Sequence, residues 1–345
     1  MNRIAQMTSA ERAEVFAETA ERKLVADAIV EKDFWTCWML QQLFSVDAFA
    51  GKLLFKGGTS LSKVFHAINR FSEDIDLAVD YVALGFTGEC DPRREGISKT
   101  RRTSLLGDMM AACQAYISEE FIGILRTRCQ EVLGKQGAWS LDVNQQDPNT
   151  VLFSYPPGSS KSLDYVVPQI VLEMGTHAEF VPRDNFKIRS FVEEEFPNLI
   201  SDGDISVVTL LAKRTFWEKA TILHAEFYRP AEKALRAKYS RHYYDLAMLA
   251  ESPIRDEALA DIGLLDQVVL HKQIFYPSAW ARYELAVPGS LRLRPADDRR
   301  AELERDYRDM DVMIFGKPPS FDSIVNALVV LEQEINRQDT GYTTG

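Results

Sequence analysis

The 345-residue sequence predicts an α+β fold, with a mixed β-sheet lobe flanked by helices followed by a mostly helical C-terminal lobe. Three observations predict it. Short apolar or alternating runs bounded by Gly and Pro cluster before about residue 200. Helical periodicity takes over from Asp204 onward. The length exceeds the usual size of one domain, so two lobes are expected, at residues 1–200 and 201–345.

In order along the chain, residues 10–47 read as helical throughout. AERAEVFAETAERK makes a polar-faced helix, and VEKDFWTCWMLQQLF makes an amphipathic one burying Phe34, Trp35, Trp38 and Leu43. KLLFK, stopped by Gly-Gly, has the length of a buried strand. TSLSKVFHAINR then spaces Leu61, Val64, Phe65 and Ile68 as a helix does, with Thr59 or Ser60 as N-cap. DIDLAVD returns to strand alternation. A long helical run, SLLGDMMAACQAYISEEFIGILRTRCQEVL, precedes three strand-like runs, WSLDVN, TVLFSYP and QIVLEMG, with Pro156, Pro157 and Gly158 marking a turn. The second lobe is expected to be helical over ISVVTLLAKRTFWEKATILHAEF, SRHYYDLAMLAE, the region of LLDQVVLHKQIF, and FDSIVNALVVLEQEINRQ. The tail QDTGYTTG is expected to stay outside the fold.

Composition removes several classes of function. No apolar run reaches the roughly 20 residues that span a bilayer, and the N-terminus is polar and helical, so a cytoplasmic protein is expected. Cys37, Cys90, Cys113 and Cys129 are scattered without a C-x-x-C pair, which fits buried or idle thiols better than zinc. A formal net charge of −11 argues against coating nucleic acid by bulk electrostatics, because that affinity comes from counterions released by Lys and Arg. Nucleic-acid contact must therefore be local. Arg93, Arg94, Lys99, Arg101 and Arg102 form one basic cluster that either guides a phosphate backbone or is simply a solvated loop.

The chemistry concentrates in FKGGTSLSKVFHAINRFSEDIDLAVD. Gly57 and Gly58 let backbone N–H groups approach a phosphate, and the helix beginning near Thr59 and Ser60 points its positive end at the same place. On the next strand, Asp74 and Asp76 project to one face while Ile75 and Leu77 enter the core. Two adjacent hard oxygen ligands suit Mg²⁺ held together with substrate phosphates. Glu173 in QIVLEMG is the candidate third ligand, because a lone acid in a buried strand is costly unless paired. The alternative for Glu173 is a strand-end residue facing solvent. No histidine pairs with Cys or Ser as a nucleophile site, so covalent catalysis has no support.

Gly-Gly-Thr-Ser, a helix, then Asp-x-Asp on a strand resembles the nucleotidyltransferase fold of the polymerase β superfamily. More closely, VEKDFW, KGGTSLSK, RFSEDIDL, the Lys213-Arg214-Thr215 helix with WEKATILH, SRHYYDL and IVNALVVLEQEIN resemble the AbiEii/AbiGii nucleotidyltransferase toxins of bacterial type IV toxin–antitoxin systems, which include the MenT toxins. The resemblance covers most of the chain. It implies a loop of Gly58, Thr59 and Ser60 gripping the triphosphate, with Lys63 nearby, Ser72 beside the phosphates, and Asp74 and Asp76 on Mg²⁺. It also implies that Lys213 neutralises phosphate charge and that Arg241 and Asp245 form the family's R-x-x-x-D motif. Residues 241 and 245 share a helix face and are expected to pair or jointly face a ligand, or to be an ordinary surface ion pair. Lys213 is alternatively part of the wet face of its helix.

The implied activity is Mg²⁺-dependent transfer of a nucleoside monophosphate from an NTP to an acceptor hydroxyl, with RNA, and the 3′ end of tRNA above all, as the acceptor. The implied consequence is blocked translation, as the toxin of a toxin–antitoxin or phage-defence system whose cognate antitoxin is encoded nearby. The alternatives are modification of a protein or small-molecule hydroxyl, and a non-catalytic nucleotide-binding module.

Overall fold

Alternation of buried and half-buried residues along Asp74–Val79 builds the strand at the centre of a seven-stranded sheet. The computed structural model describes residues 1–72, 74–135, 137–158, 167–199, 204–310 and 313–337. They fall into two units, Met1–Val64 with Ser72–Leu210, and Phe65–Phe71 with Leu211–Gly345. The lobe boundary expected at residues 200 and 201, and the C-terminal tail from residue 338, lie outside the described residues.

The first unit contains strands β1 (Leu53–Lys56), β2 (Asp74–Val79), β3 (Ser140–Val143), β4 (Thr150–Ser154), β5 (Gln169–Gly175), β6 (Arg183–Ile188) and β7 (Ile205–Leu210). Their order in the sheet is β3-β4-β5-β2-β1-β7-β6. β2 runs parallel to β5 and antiparallel to β1, and β1 runs parallel to β7, so the sheet is mixed as expected. The first five strands are the ones the alternation predicts. β6 was not foreseen, and the helical expectation for Ile205–Leu210 is overturned. ISVVTL is a short run rich in β-branched residues, whose stiff side chains suit a pleated surface, and the ladder it makes with β6 and β1 decides its state.

Helices α1 (Asn2–Ala5), α2 (Ser9–Lys23) and α3 (Asp27–Phe44) form the N-terminal brace. A capping box starts α2, with Thr8 accepting from the Glu11 N–H and the Glu11 side chain accepting from Thr8. The two helices expected within 10–47 are separated where Leu24 turns left-handed. Nearly all of α3 is buried, with Phe34, Trp35, Trp38 and Leu43 inside as predicted. Trp35 stacks on Tyr155 at 5.5 Å and Trp38 on Phe153 at 5.6 Å, joining α3 to the face of the sheet that carries Phe55, Ile75, Leu77, Leu172 and Val207. α4 (Gly57–Lys63), α5 (Lys99–Tyr116), α6 (Ile122–Leu133) and α7 (Phe191–Glu195) complete the unit. The long helical run is continuous but contains a π-helical turn at Ile117–Phe121.

The helix expected over TSLSKVFHAINR stops at Lys63, and His66 takes a left-handed φ of 48°. Phe65–Phe71 belongs instead to the second unit. There the Phe71 N–H donates to the Met313 carbonyl and the Phe315 N–H to the Asn69 carbonyl, both at 2.7 Å. Long-range backbone pairing outweighs the local apolar spacing. The remainder of this unit is helical, comprising α8 (Ala212–Phe227), α9 (Ser240–Ala250), α10 (Ile254–Leu259), α11 (Gly263–Phe275), α12 (Arg300–Met310) and α13 (Phe321–Arg337). α8 packs against α9, α10 and α11, and α9 against α12 and α13. α13 buries Phe321, Ile324, Val325, Leu328, Leu331 and Ile335 along one stripe. α12 was not foreseen. Among the described residues no helix is long and apolar enough to cross a membrane.

Candidate active site

β2 carries the two aspartates as its period dictates, with Asp74 and Asp76 half-buried on one face and Ile75 and Leu77 fully buried on the other. Beyond them on the first face, Ala78 joins Leu54 and Leu210 in a small apolar cluster. The polar part of the face begins where that cover ends. Register places four side chains in one row across adjacent strands, because Lys56 of β1 pairs with Asp76, Asp76 with Glu173 of β5, and Glu173 with Thr150 of β4. Register partners in a ladder share a face. The row therefore reads cation, acid, acid, hydroxyl.

Gly57 explains why this row meets the glycine pair. It has a φ of +78°, and a Cβ built there lies 1.8 Å from Oδ2 of Asp76. The carboxylate rests against the Cα of Gly57, so a residue with a side chain would be strained and would also displace the acid. The Gly-Gly pair was expected to form a loop before the helix. Instead α4 begins at Gly57, with Lys56 as N-cap and no side chain capping it. The hydroxyls have other partners. Thr59 donates to the carbonyl of Asp74, tying α4 to the start of β2, and Ser60 donates to the Gly57 carbonyl at 2.8 Å. Gly58, Thr59 and Ser60 are buried, and Ser72 lies half-buried just before β2.

Two of the expected residues have different surroundings from those foreseen. Lys63 is ion-paired to buried Asp33 of α3 and sits 4.1 Å from the centroid of Phe191. Burial works against its ammonium, but Asp33 more than offsets this, and Lys63 is pushed up to about 12. The pair fastens α4 to α3. Glu173 is exposed, so the argument that burial forces it to find a partner does not apply. Among the described residues no three of His, Cys, Asp and Glu gather into a group able to hold a metal by themselves.

Lys213, Arg241 and Asp245 lie in the second unit. Lys213 donates to Asp261 at 2.7 Å. Of the alternatives for Arg241 and Asp245, their pairing with each other is not made among the described residues, and Asp245 is held by other cations. Arg70 donates to its carboxylate oxygens at 2.7 and 2.9 Å, and Lys219 at 2.7 Å. Asp245 is fully buried. Burial alone would raise it, yet Arg70 and then Lys219 hold it well below the usual carboxylate range. Sequence reading missed Arg70 and Lys219 as partners, since 175 residues separate Arg70 from the acid. Lys56 was also missed, although its place directly before Gly57 was a usable signal.

Three arginines of the basic cluster have partners of their own, while Lys99 and Arg101 are exposed. Arg93 pairs with Asp91 at 2.9 Å and with Glu179 at 3.6 Å, Arg94 pairs with Glu89, and Arg102 donates to the Pro92 carbonyl. Cys37, Cys113 and Cys129 are buried and Cys90 is exposed, all of them free thiols.

Compared with known proteins, residues 38–327 match the model of the family described as nucleotidyl transferase AbiEii toxin, type IV toxin–antitoxin system. Among solved structures the chain resembles MenT4, a nucleotidyltransferase toxin from Mycobacterium tuberculosis, with a TM-score of 0.50 and 15% identity. The match covers 94% of this chain and 90% of that one. At that identity the likeness is one of fold. No curated protein matches the chain by sequence.

Proposed function

The chain belongs to the AbiEii nucleotidyltransferase toxin family of type IV toxin–antitoxin systems, and from that premise we propose that it moves a nucleoside monophosphate from a Mg²⁺-bound NTP to a hydroxyl of RNA, with the 3′ end of tRNA favoured. The new bond joins the acceptor oxygen to the α-phosphorus, the bond to the β-phosphate breaks, and pyrophosphate leaves. Such chemistry needs alignment and charge neutralisation more than covalent help. The cognate antitoxin that the family implies would oppose the resulting block in translation.

The observation that carries this reading is the contact of Asp76 with Gly57. It sets a carboxylate and a side-chain-free stretch of backbone against one another, which is the arrangement a metal-bound polyphosphate requires on its two sides. Hard oxygens fit Mg²⁺. Asp74 and Asp76 would hold it, and Glu173 would reach it as the neighbour of Asp76 in register. When bound, the ion neutralises charge on the phosphates. Lys56, half-buried on the far side of Asp76, supplies a cation to the triphosphate. Gly58, Thr59 and Ser60 would line its approach through their backbone, and Ser72, half-buried before β2, through its hydroxyl. In this division the sheet unit, Met1–Val64 with Ser72–Leu210, handles the nucleotide, and the helical unit, Phe65–Phe71 with Leu211–Gly345, handles the acceptor.

The test is incubation of the purified protein with Mg²⁺, each α-³²P-labelled NTP in turn and total bacterial RNA, beside an Asp76→Asn control. Label in a tRNA-sized band that disappears in the control is expected. Label in protein instead would replace RNA as the acceptor, and label nowhere across several acceptors would remove transfer.

A further inference from the structure

At the C-terminal end of α8, five cations stand over three aromatic rings. Arg229 lies 4.9 Å and Lys233 5.4 Å from the centroid of Trp280, and Arg282 lies 5.9 Å from that of Tyr228. Arg292 and Arg294 lie 5.8 and 5.9 Å from that of Phe227. Phe227 and Tyr228 also meet edge to face at 5.1 Å. The loop after α8 is held in shape, because Arg299 donates to the carbonyls of Pro230, Ala231 and Lys233 at 2.7–2.9 Å.

Charge points the same way. In a chain of net charge −11, the stretch Tyr228–Arg241 holds five basic residues against Glu232 alone. Some cations of the patch already have acids, as in Arg229 with Glu226, Arg282 with Glu284 and Arg292 with Glu332. Lys233, Arg236, Lys238 and Arg294 are exposed and make no ion pair among the described residues. All three rings are only half-buried.

We infer that this patch binds a single-stranded segment of RNA, with bases stacking on Trp280, Tyr228, Phe227 and the guanidinium groups beside them, and phosphates on Lys233 and Arg294. Aromatic faces recognise unstacked bases and cations recognise the backbone, whereas a duplex hides its base faces and an acidic polypeptide has none to offer. The inference rests on the reading of RNA as acceptor, and it supplies a local basic surface of the kind that the overall charge demands.

The experiment measures anisotropy of a fluorescently labelled single-stranded RNA of about 12 nucleotides, without NTP, across a salt series. The proteins are the wild type, Lys233→Glu/Arg294→Glu and Trp280→Ala, each checked for an unchanged unfolding transition and unchanged NTP affinity. Wild-type binding is expected to weaken about tenfold or more in both variants, and the salt slope of the double variant to fall by about 1.4, for two phosphate contacts. A blunt duplex of the same length should bind more weakly than the single strand. Variants that bind like wild type, a wild type that binds no RNA, or equal competition by polyglutamate would each overturn the patch. Loss in the charge variant with none in Trp280→Ala would overturn the stacking. RNA binding that depends on these residues, in a protein that labels no RNA, would leave the patch standing and remove the acceptor reading.

Discussion

Arg70 and Asp245, 175 residues apart in the chain, face each other through two hydrogen bonds of 2.7 and 2.9 Å, and both side chains are buried. Lys219 adds a third bond at 2.7 Å. Two cations and one anion are thus withdrawn from water together, a set in which each member is costly without the others. The segment Phe65–Phe71 that carries Arg70 continues directly through Ser72 into the strand of Asp74 and Asp76.

Asp245→Asn leaves Arg70 and Lys219 buried without their counter-charge and should cost about 3–5 kcal/mol of stability. Urea unfolding should show a lowered midpoint with an unchanged slope. An unchanged midpoint together with lost transfer activity would instead make Asp245 a participant in the chemistry.

Gly57→Ala should lower transfer about a hundredfold, because its Cβ occupies the place of the Asp76 carboxylate and displacements of about 1 Å in an active site cost that much. Gly51→Ala is the control. Gly51 has a similar φ of +72° but nothing within 4 Å of a built Cβ, so it pays only the backbone strain of about 1 kcal/mol. Equal activity loss in the two variants would mean that strain, and not the carboxylate, is what matters.

Lys56→Met should raise the KM for NTP about tenfold and leave the melting temperature unchanged, whereas Lys63→Met should destabilise the protein by stranding buried Asp33. Steady-state kinetics and thermal unfolding of the two variants distinguish a lysine at the nucleotide from one that fastens α4. Reversed results would return Lys63 to the phosphates.

Burial lowers His177, His224 and His242 below the ordinary histidine range. His224 is held neutral, accepting the Arg292 N–H at Nδ1 and donating from Nε2 to the Arg282 carbonyl at 3.0 Å. The unfolded chain takes up protons as pH drops through about 6.5 while the folded chain does not. Stability is therefore complete above that pH and declines below it. Denaturation midpoints at pH 7.5, 6.5 and 6.0 should fall in that order, and His224→Gln should flatten the trend by about one proton. A pH-independent midpoint would show that these histidines titrate alike in both states.

Local patterns made much of this protein legible. The alternation of DIDLAV determined that Asp74 and Asp76 share a face, and the period of FDSIVNALVVLEQEINR determined the buried stripe of α13. Each depends on neighbours within a few residues, which a sequence displays directly.

Other features depend on partners far along the chain. ISVVTL became a strand because β1 and β6 were there to pair with it, and Phe65–Phe71 left its helix because Met313 and Phe315 offered backbone partners. The partners of Lys63 and Asp245 were decided the same way. Lys63 found Asp33 and Asp245 found Arg70 and Lys219, because a buried charge takes the nearest opposite charge in space, whatever its position in the sequence. The sequence by itself determined the kind of site, two acids beside a glycine pair. Only the tertiary structure decided that Gly57 must lack a side chain to admit Asp76, and that Lys56 and Glu173 flank that acid, since these are facts of strand register and close approach.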